Sequence, residues 1–163
     1  MKTGFPPVAD AETRLFILGS LPGDRSLALG QYYGHPTNQF WRLLGAVVGE
    51  DLASLPYEAR LERLRANGVG LWDVFHAAHR PGSGDSAIRD GRHNPLAELS
   101  ERYPRLAAIA FNGGIAAREG RRAFPKDGPV ALFDLPSSSA ANTCRFEVKL
   151  ASWKRLTSFL AAR

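Results

Sequence analysis

Two asparagines, Asn38 and Asn112, carry amide side chains that can both donate and accept hydrogen bonds. Asn112 follows the apolar residues 106–111 and precedes two glycines, so we expect it at the end of a buried strand. An amide donates through its nitrogen and accepts through its oxygen, so it can bond a carbonyl and a ring N–H at once. The alternative is structural, because an asparagine before Gly-Gly also tolerates a left-handed turn.

Asn38 precedes a helical pattern that ends at Gly49. The apolar residues of this pattern have the spacing of one helical face: Phe40, Trp41, Leu43, Leu44 and Val47. Asparagine is among the best residues for capping the N-terminus of a helix, so the structural interpretation of Asn38 is a cap. A chemical role for the same amide is compatible with capping.

Two other kinds of chemistry fit this sequence poorly. Gly84-Asp85-Ser86 has the form of a serine-esterase signature, but no apolar strand precedes it, so we reject a serine hydrolase. His76, His79 and His93 have no carboxylate at a zinc-ligand spacing. The single cysteine, Cys144, excludes a thiolate cluster within one chain. We therefore expect neither a metal ion nor another cofactor.

The elements that position these residues alternate between strands and helices. Apolar runs predict strands at residues 14–18, 69–72, 106–111 and 130–135. Spacing and capping signals predict helices over residues 38–48, 57–66, 95–101 and 115–123, and from residue 145 onward. This alternation is typical of the α/β class, with a central parallel sheet inside a three-layer α/β/α sandwich.

The loops of greatest interest follow the strands. Ligands of such sheets gather at the carboxyl ends of strands, so we expect the loops at residues 19–23, 111–114 and 135–143 to share one crevice. Residues 77–94 show no periodicity and predict a long functional loop. Four arginines in or near loops are candidates for phosphate contact, although a solvated surface position is commoner: Arg80, Arg89, Arg92 and Arg145.

The composition indicates one globular domain of 163 residues, with residues 1–12 as a loose N-terminal arm. The net charge of +5 permits a polyanionic partner, although the codon usage of a GC-rich genome would also explain 17 Arg against 4 Lys. No apolar segment has the length of a signal peptide or a membrane span. We therefore expect a monomer in the cytosol or nucleoid of a bacterium.

Four segments, in this order, resemble signature segments of the uracil-DNA glycosylase superfamily. Gly19-Ser20-Leu21-Pro22-Gly23 resembles its first signature loop, and Leu-Pro-Ser-Ser-Ser-Ala-Ala-Asn at residues 135–142 resembles its second. Tyr-Tyr-Gly-His-Pro-Thr-Asn-Gln-Phe-Trp at residues 32–41 looks like the segment after the first loop in mismatch-specific and thymine-DNA glycosylases. Phe111-Asn112-Gly113 looks like their base-reading strand end. With Leu71-Trp72-Asp73-Val74, the likeness is greatest to the hypoxanthine-DNA, or deoxyinosine, glycosylase branch.

The resemblance implies a four-stranded parallel sheet and a metal-free, monofunctional DNA glycosylase that removes a deaminated base, with hypoxanthine as the first choice. The alternatives are uracil or a G:U or G:T mismatch, and a non-catalytic relative that binds damaged DNA or a nucleotide. No lysine stands in a signature loop, so we expect no Schiff-base lyase step. The second loop lacks the histidine of the efficient uracil-specific branches, which suits a purine that is protonated on N7 as it leaves.

The resemblance also implies the roles of individual residues. Many relatives position water with a carboxylate or amide in the first loop, where this chain has Ser20 and Leu21, so we expect Asn38, together with Ser20, to serve catalysis. Asn112 is expected to read the base. Further candidates for contact with the base are Leu21, Tyr32, Tyr33 and Phe40. The second loop is expected to contact the DNA backbone through Pro136, Ser137, Ser138, Ser139, Ala140 and Asn142.

Overall fold

A computed structural model describes residues 1–161 of the chain. The strands in this part are β1 (Lys2–Thr3), β2 (Leu15–Gly19), β3 (Val69–Asp73), β4 (Phe75–His79), β5 (Arg89–His93), β6 (Ala108–Asn112) and β7 (Ala131–Leu135). The α-helices are α1 (Asp24–Leu29), α2 (Phe40–Val48), α3 (Tyr57–Ala66), α4 (Leu99–Arg102), α5 (Gly114–Gly120) and α6 (Phe146–Trp153).

Four of the strands form a parallel sheet in the order β3-β2-β6-β7. Leu15 of β2 pairs with Val69 on one side and with Ala108 on the other, and Ala108 pairs in turn with Ala131. Strands β2, β3 and β6 are buried along their whole length, which explains their continuous apolar sequences. The predicted four-stranded parallel sheet is confirmed.

Side chains of the sheet alternate between two cores, because successive residues of a strand point to opposite faces. Leu15 and Ile17 pack in the core that contains residues of α2, α3 and α6. Phe16 and Leu18 pack in the core that contains residues of α4 and α5. Helices therefore cover both faces of the sheet, and the three-layer α/β/α architecture is confirmed.

A second sheet, antiparallel and in the order β1-β4-β5, occupies much of the segment that we predicted to be a loop. Strands β4 and β5 pair Phe75 with His93 and His79 with Arg89, so the prediction of a continuous loop over residues 77–94 is wrong. All five residues of β5 are exposed and none of them is apolar. The strand therefore has no alternation of apolar and polar residues from which it could be predicted.

The N-terminal residues are not the loose arm that we expected. Strand β1 pairs with β4, and the backbones of Val8 and Leu71 exchange two hydrogen bonds of 2.9 Å. The Phe5 carbonyl accepts a hydrogen bond from Trp72 Nε1 at 3.2 Å. This segment is held mainly by backbone pairing to strands far away in the sequence, which its local composition does not reveal.

Several helix boundaries lie close to the predicted ones. Helix α2 ends before Gly49, which has the left-handed φ of +76° that glycine adopts without strain. The helix predicted from residue 95 is shorter than expected, because a 3-10 turn over Leu96–Glu98 precedes the four-residue α4. None of the helices that the structure describes is long and apolar enough to cross a membrane.

Candidate active site

A cavity of about 850 Å³ opens at the carboxyl ends of the parallel strands. Its wall includes Gly19 at the end of β2, Asp73 at the end of β3 and Asn112 at the end of β6. Residues of the first loop (19–23), the tyrosine segment (32–38), the second loop (137–142) and the turn at 83–85 also line it, as do Arg25 and Ser26 of α1, Gly113, and Gly114, Ile115 and Arg118 of α5. The prediction that the loops after the strands share one crevice is confirmed, and the volume is typical of a small-molecule site.

Asn112 and Ser138 are joined by two hydrogen bonds. The Ser138 backbone N–H donates to Asn112 Oδ1 at 2.9 Å, and Asn112 Nδ2 donates to Ser138 Oγ at 2.9 Å. A backbone N–H can only donate, so this contact fixes which end of the amide is the oxygen. Each end of the amide has one bonding position that Ser138 does not occupy, and the amide also lies near the Tyr33 hydroxyl. The left-handed conformation belongs to Gly113, with φ +101°, so a turn does not explain Asn112.

Ser138 also bonds to Asn38, so the three residues form a hydrogen-bond chain in the order Asn112, Ser138, Asn38. Asn38 Oδ1 accepts from the Phe40 N–H at 2.9 Å, in the first turn of α2, and from the Ser138 hydroxyl at 2.8 Å. The first contact confirms that Asn38 satisfies a free N–H at the start of the helix. Because the oxygen is occupied twice, the NH2 group is the part of Asn38 that can serve a substrate. Asn38 lines the cavity.

The three aromatic candidates occupy different depths. Phe40 is fully buried and is absent from the cavity wall, and the Tyr33 ring stacks on it with centroids 3.8 Å apart and an angle of 9° between the planes. Tyr33 does line the cavity, so Phe40 supports the ring that a base would meet. Tyr32 also lines the cavity, but its hydroxyl donates to the Pro6 carbonyl at 2.8 Å.

The first loop is held by a buried arginine. The Arg80 guanidinium donates to the carbonyls of Leu21 and Pro22, and its Nη1 lies 3.8 Å from Asp85 Oδ1. Arg80 was a candidate for phosphate contact, but its side chain is fully buried, so that interpretation is wrong. The Ser20 hydroxyl donates to Asp85 Oδ1 at 2.6 Å, so its proton is engaged within the protein. Leu21 is buried at the cavity wall.

Comparison with known proteins agrees with this geometry. The profile of the family described as the uracil DNA glycosylase superfamily matches residues 6–160. This chain belongs to that superfamily. It is 54% identical over 112 residues to the hypoxanthine DNA glycosylase of Methanosarcina barkeri, covering 69% of this chain and 71% of the relative. It is 46% identical over 144 residues to the hypoxanthine DNA glycosylase of Methanosarcina acetivorans, covering 87% and 89%.

A solved structure supports the same assignment. A solution NMR structure of a candidate uracil DNA glycosylase from Methanosarcina acetivorans superposes with a TM-score of 0.85 and 42% sequence identity, over 96% of each chain. The uracil DNA glycosylase fold therefore extends over nearly the whole of this chain. Both curated relatives are archaeal, so they lend no support to the bacterial source that we expected.

The second loop of this superfamily member is held by bonds within itself and to α6. Ser137 Oγ accepts from the Ser139 N–H at 3.2 Å, and Asn142 Nδ2 donates to the Ser137 carbonyl at 3.1 Å. Ala140 is exposed, whereas Ser138 has only 1% of its surface exposed, and the Pro136 carbonyl accepts from Trp153 Nε1 at 3.0 Å. All residues from 137 to 142 line the cavity, whereas Pro136 does not, and the Ser138 side chain is engaged by bonds within the protein.

Lys149 is a buried residue that the sequence interpretation missed. Its Nζ donates to Gln39 Oε1 at 2.8 Å and to the Ser139 carbonyl at 3.2 Å. Burial lowers the pKa of Lys149. This side chain ties α6 both to the residue before α2 and to the second loop. Only the apolar stripe of this helix was visible in the sequence, and the lysine would have passed for a solvated residue.

Asp73 is a cavity-lining residue whose chemistry we also missed. It was noticed only as part of the Leu71-Trp72-Asp73-Val74 resemblance, yet it ends a buried strand, as Asn112 does. Only 4% of Asp73 is exposed. Burial, and then the charge of Asp85, raise the pKa of Asp73 to about 7, while Arg80 acts in the opposite direction. The position at the end of an apolar strand was the signal that could have identified it.

Proposed function

We propose that this protein is a monofunctional DNA glycosylase that hydrolyses the N-glycosidic bond of a deaminated base, with hypoxanthine as its preferred substrate. The observation that carries the proposal is the hydrogen-bond chain Asn38–Ser138–Asn112, which holds two amides in one cavity. The curated relatives, both named hypoxanthine DNA glycosylase, support the choice of base.

In the proposed complex, the deaminated nucleotide leaves the DNA helix and its base enters the cavity. Unstacking a base costs a few kcal/mol, and a mispaired base such as hypoxanthine costs least. The free donor and acceptor of Asn112 bond to the polar edge of the base, and the Tyr33 ring, supported from behind by Phe40, stacks on its face. The cavity thereby recovers part of the unstacking energy.

The bond that breaks joins the sugar C1′ to the base, and the transition state has oxocarbenium character. The free NH2 group of Asn38 is proposed either to hold the attacking water or to contact the departing base. Ser20 is proposed to act indirectly by holding Asp85, because its hydroxyl already donates its proton to that carboxylate. Serines 137 and 139 of the second loop are proposed to contact the DNA backbone.

Excision is tested with a panel of duplexes that carry a single deoxyinosine, a single deoxyuridine, a G:T mismatch or no lesion. The enzyme is used in excess, and abasic sites are cleaved with hot alkali. We expect the fastest product formation on deoxyinosine. A faster reaction on deoxyuridine would make uracil the preferred base, and tight binding without any product would leave a non-catalytic binder of damaged DNA.

The absence of a lyase step is tested in the same reactions. Within residues 1–161 no lysine lines the cavity, and Nζ of the buried Lys149 is engaged by two acceptors. We therefore expect no strand cleavage without alkali and no covalent complex after borohydride treatment. A trapped complex would contradict the monofunctional mechanism.

Full activity in excess EDTA and a monomeric mass by light scattering are expected as well.

A further inference from the structure

Two buried polar atoms at the cavity are without a hydrogen-bond partner among the described residues: Asp73 Oδ2 and the Tyr33 hydroxyl oxygen. Both side chains line the cavity. Buried polar groups are almost always bonded in folded proteins, so an exception at a cavity indicates a group that a ligand satisfies. The polar atoms of Asn38, Asn112 and Ser138 differ in this respect, because each residue already has partners within the protein.

Gly19 lies beside both of these side chains. A Cβ at this position would stand 2.6 Å from Asp73 Oδ1 and 2.9 Å from the Tyr33 hydroxyl, so any side chain would collide with both. Both groups therefore flank the glycine of the first loop. Burial, followed by the charge of Asp73, raises the pKa of Tyr33, and the nearby Asn112 amide opposes this rise. Asp73, Tyr33 and Asn112 thus belong to one group of polar side chains.

The charged groups around Asp73 determine which form of its carboxyl is present. Asp85 and Arg80 affect the pKa of Asp73, and the charge of Asp73 in turn affects Tyr33 and Tyr32. Arg80 does not neutralise Asp73 fully, because it also donates to two first-loop carbonyls and lies beside Asp85. With burial and a second carboxylate opposing ionisation, a substantial part of Asp73 is a neutral acid near neutral pH.

We propose that Asp73 contacts the flipped base and acts as the general acid that protonates a purine as it leaves. The proposal rests on the proposed function and extends it. It requires no residue beyond those at the cavity, and it gives the chain an acid in place of the histidine that its second loop lacks. An acid suits a purine, since N7 is a basic ring nitrogen on the same five-membered ring as N9, where the bond breaks.

Proton transfer from Asp73 accompanies cleavage of the glycosidic bond. The C1′–N9 bond breaks, and its electron pair passes into the base. The proton of the Asp73 carboxylic acid bonds to N7, so that hypoxanthine leaves as a neutral molecule and Asp73 becomes a carboxylate. The oxygen of a water molecule bonds to C1′ and loses its proton to solvent, and Asp73 later takes up a proton from solvent.

The test measures single-turnover excision of deoxyinosine from pH 5.5 to pH 9 for the wild type, Asp73→Asn and Asp73→Ala. The exposed Asp127→Asn is the matched control. The wild-type rate should fall as pH rises through about 7, because the protonated acid is the active form. Asp73→Asn should be about 10²-fold slower or more, as for loss of a general acid, and should lose this pH dependence. Asp127→Asn should follow the wild type.

A second substrate separates proton transfer from a structural role of Asp73. A duplex with 7-deaza-deoxyinosine has no N7 to protonate, so the wild type should excise this base about as slowly as Asp73→Asn excises hypoxanthine. Combining the variant with this substrate should add little further loss, because both changes remove the same proton transfer. If the loss in rate from the variant and the loss from the substrate multiply, the two changes act independently and the proposal is wrong.

The wild-type profile alone can also overturn the inference, whether or not the variants fold. A rate on deoxyinosine that does not fall between pH 6 and pH 9 excludes an acid of this kind. If the wild type excises hypoxanthine and Asp73→Asn does so at the same rate, the inference is wrong and the proposed function stands. No excision of any lesion by the wild type removes both.

Discussion

Ser138 bonds to Asn112 through both its backbone N–H and its hydroxyl, and the same hydroxyl donates to Asn38. One residue of the second loop thus orients two amides that come from the end of β6 and the start of α2. We had grouped Ser138 with the residues expected to contact DNA phosphates. Its internal bonds make it a positioning residue, because they place the amides that contact the base in the proposed complex.

The first prediction concerns this positioning role. Ser138→Ala removes the hydroxyl, so Asn112 loses an acceptor and Asn38 loses a donor. Loss of a buried hydrogen-bonding group should lower the free energy of unfolding by about 1–3 kcal/mol. Excision should slow by about tenfold, the equivalent of roughly 1.4 kcal/mol of lost positioning. The exposed Ser158→Ala should match the wild type in thermal unfolding and in single-turnover rate, and a wild-type rate for Ser138→Ala would contradict the prediction.

The two amides should each be required for excision. Asn38→Ala and Asn112→Ala remove positioned polar groups at the cavity, and each should slow excision by about 10²-fold or more. Circular dichroism shows whether each variant is folded, and single-turnover rates on the deoxyinosine duplex give the loss. If both folded variants kept the full rate, the assignment of the site would be wrong.

Asn38→Asp separates the structural role of Asn38 from its chemical role. A carboxylate keeps an acceptor for the Phe40 N–H at the start of α2, where negative charge is favourable, so thermal stability should be preserved. It lacks the NH2 group, so excision should still fall by about 10²-fold. In contrast, Asn38→Ala should also lose about 1 kcal/mol of stability with the cap. Normal activity in Asn38→Asp would show that the NH2 group is not used.

Lys149 should stabilise the second loop through its two hydrogen bonds. Lys149→Met keeps most of the apolar length of the side chain but leaves Gln39 Oε1 and the Ser139 carbonyl without this donor. We expect a loss of about 1–3 kcal/mol in the free energy of unfolding and a raised Kd for deoxyinosine duplex. The exposed Lys154→Met is the matched control for the loss of one positive charge. Equal stability of the two variants would contradict this role.

The raised pKa of Asp73 predicts a pH-dependent stability. The folded protein binds the Asp73 proton more tightly than the unfolded chain does, with a pKa of about 7 against 3.8. Stability is therefore retained at low pH and declines as pH rises from about 4 through 7. Asp73→Asn lacks this titration. The free energy of unfolding of the variant minus that of the wild type should therefore rise over that interval by as much as about 4 kcal/mol. Above that interval the difference should stay constant.

Denaturant unfolding of both proteins at several pH values checks this difference. Titrations of groups distant from Asp73 cancel between the wild type and the variant, so the difference reports Asp73 together with the groups coupled to it, chiefly Asp85. The same comparison with Asp127→Asn controls for the loss of one negative charge. A constant difference between Asp73→Asn and the wild type from pH 4 to pH 8 would show that Asp73 titrates normally.

The sequence by itself determined the central sheet and the location of the cavity. Apolar runs marked all four strands and were most continuous in the fully buried β2 and β6, because a strand covered on both faces has no polar face to interrupt its sequence. Gly49 marked the end of α2, and Asn38 marked its start to within one residue, since Gln39 is the N-cap and Asn38 bonds the Phe40 N–H. Parallel strands then required their carboxyl-end loops to lie together, which brought Asn112 and the two signature loops to one crevice.

Only the tertiary structure decided which polar residues are buried there. Arg80, Lys149 and Asp73 belong to residue types that usually face water, and each is buried by elements far away in the sequence. Strand β5 is likewise defined by hydrogen bonds to β4 and not by its exposed polar side chains. Local spacing reports which face of an element is apolar, whereas the partner of a buried charge depends on packing between distant elements. The approach of Asp73 and Tyr33 to Gly19 arises from such packing, because the three residues belong to segments far apart in the sequence.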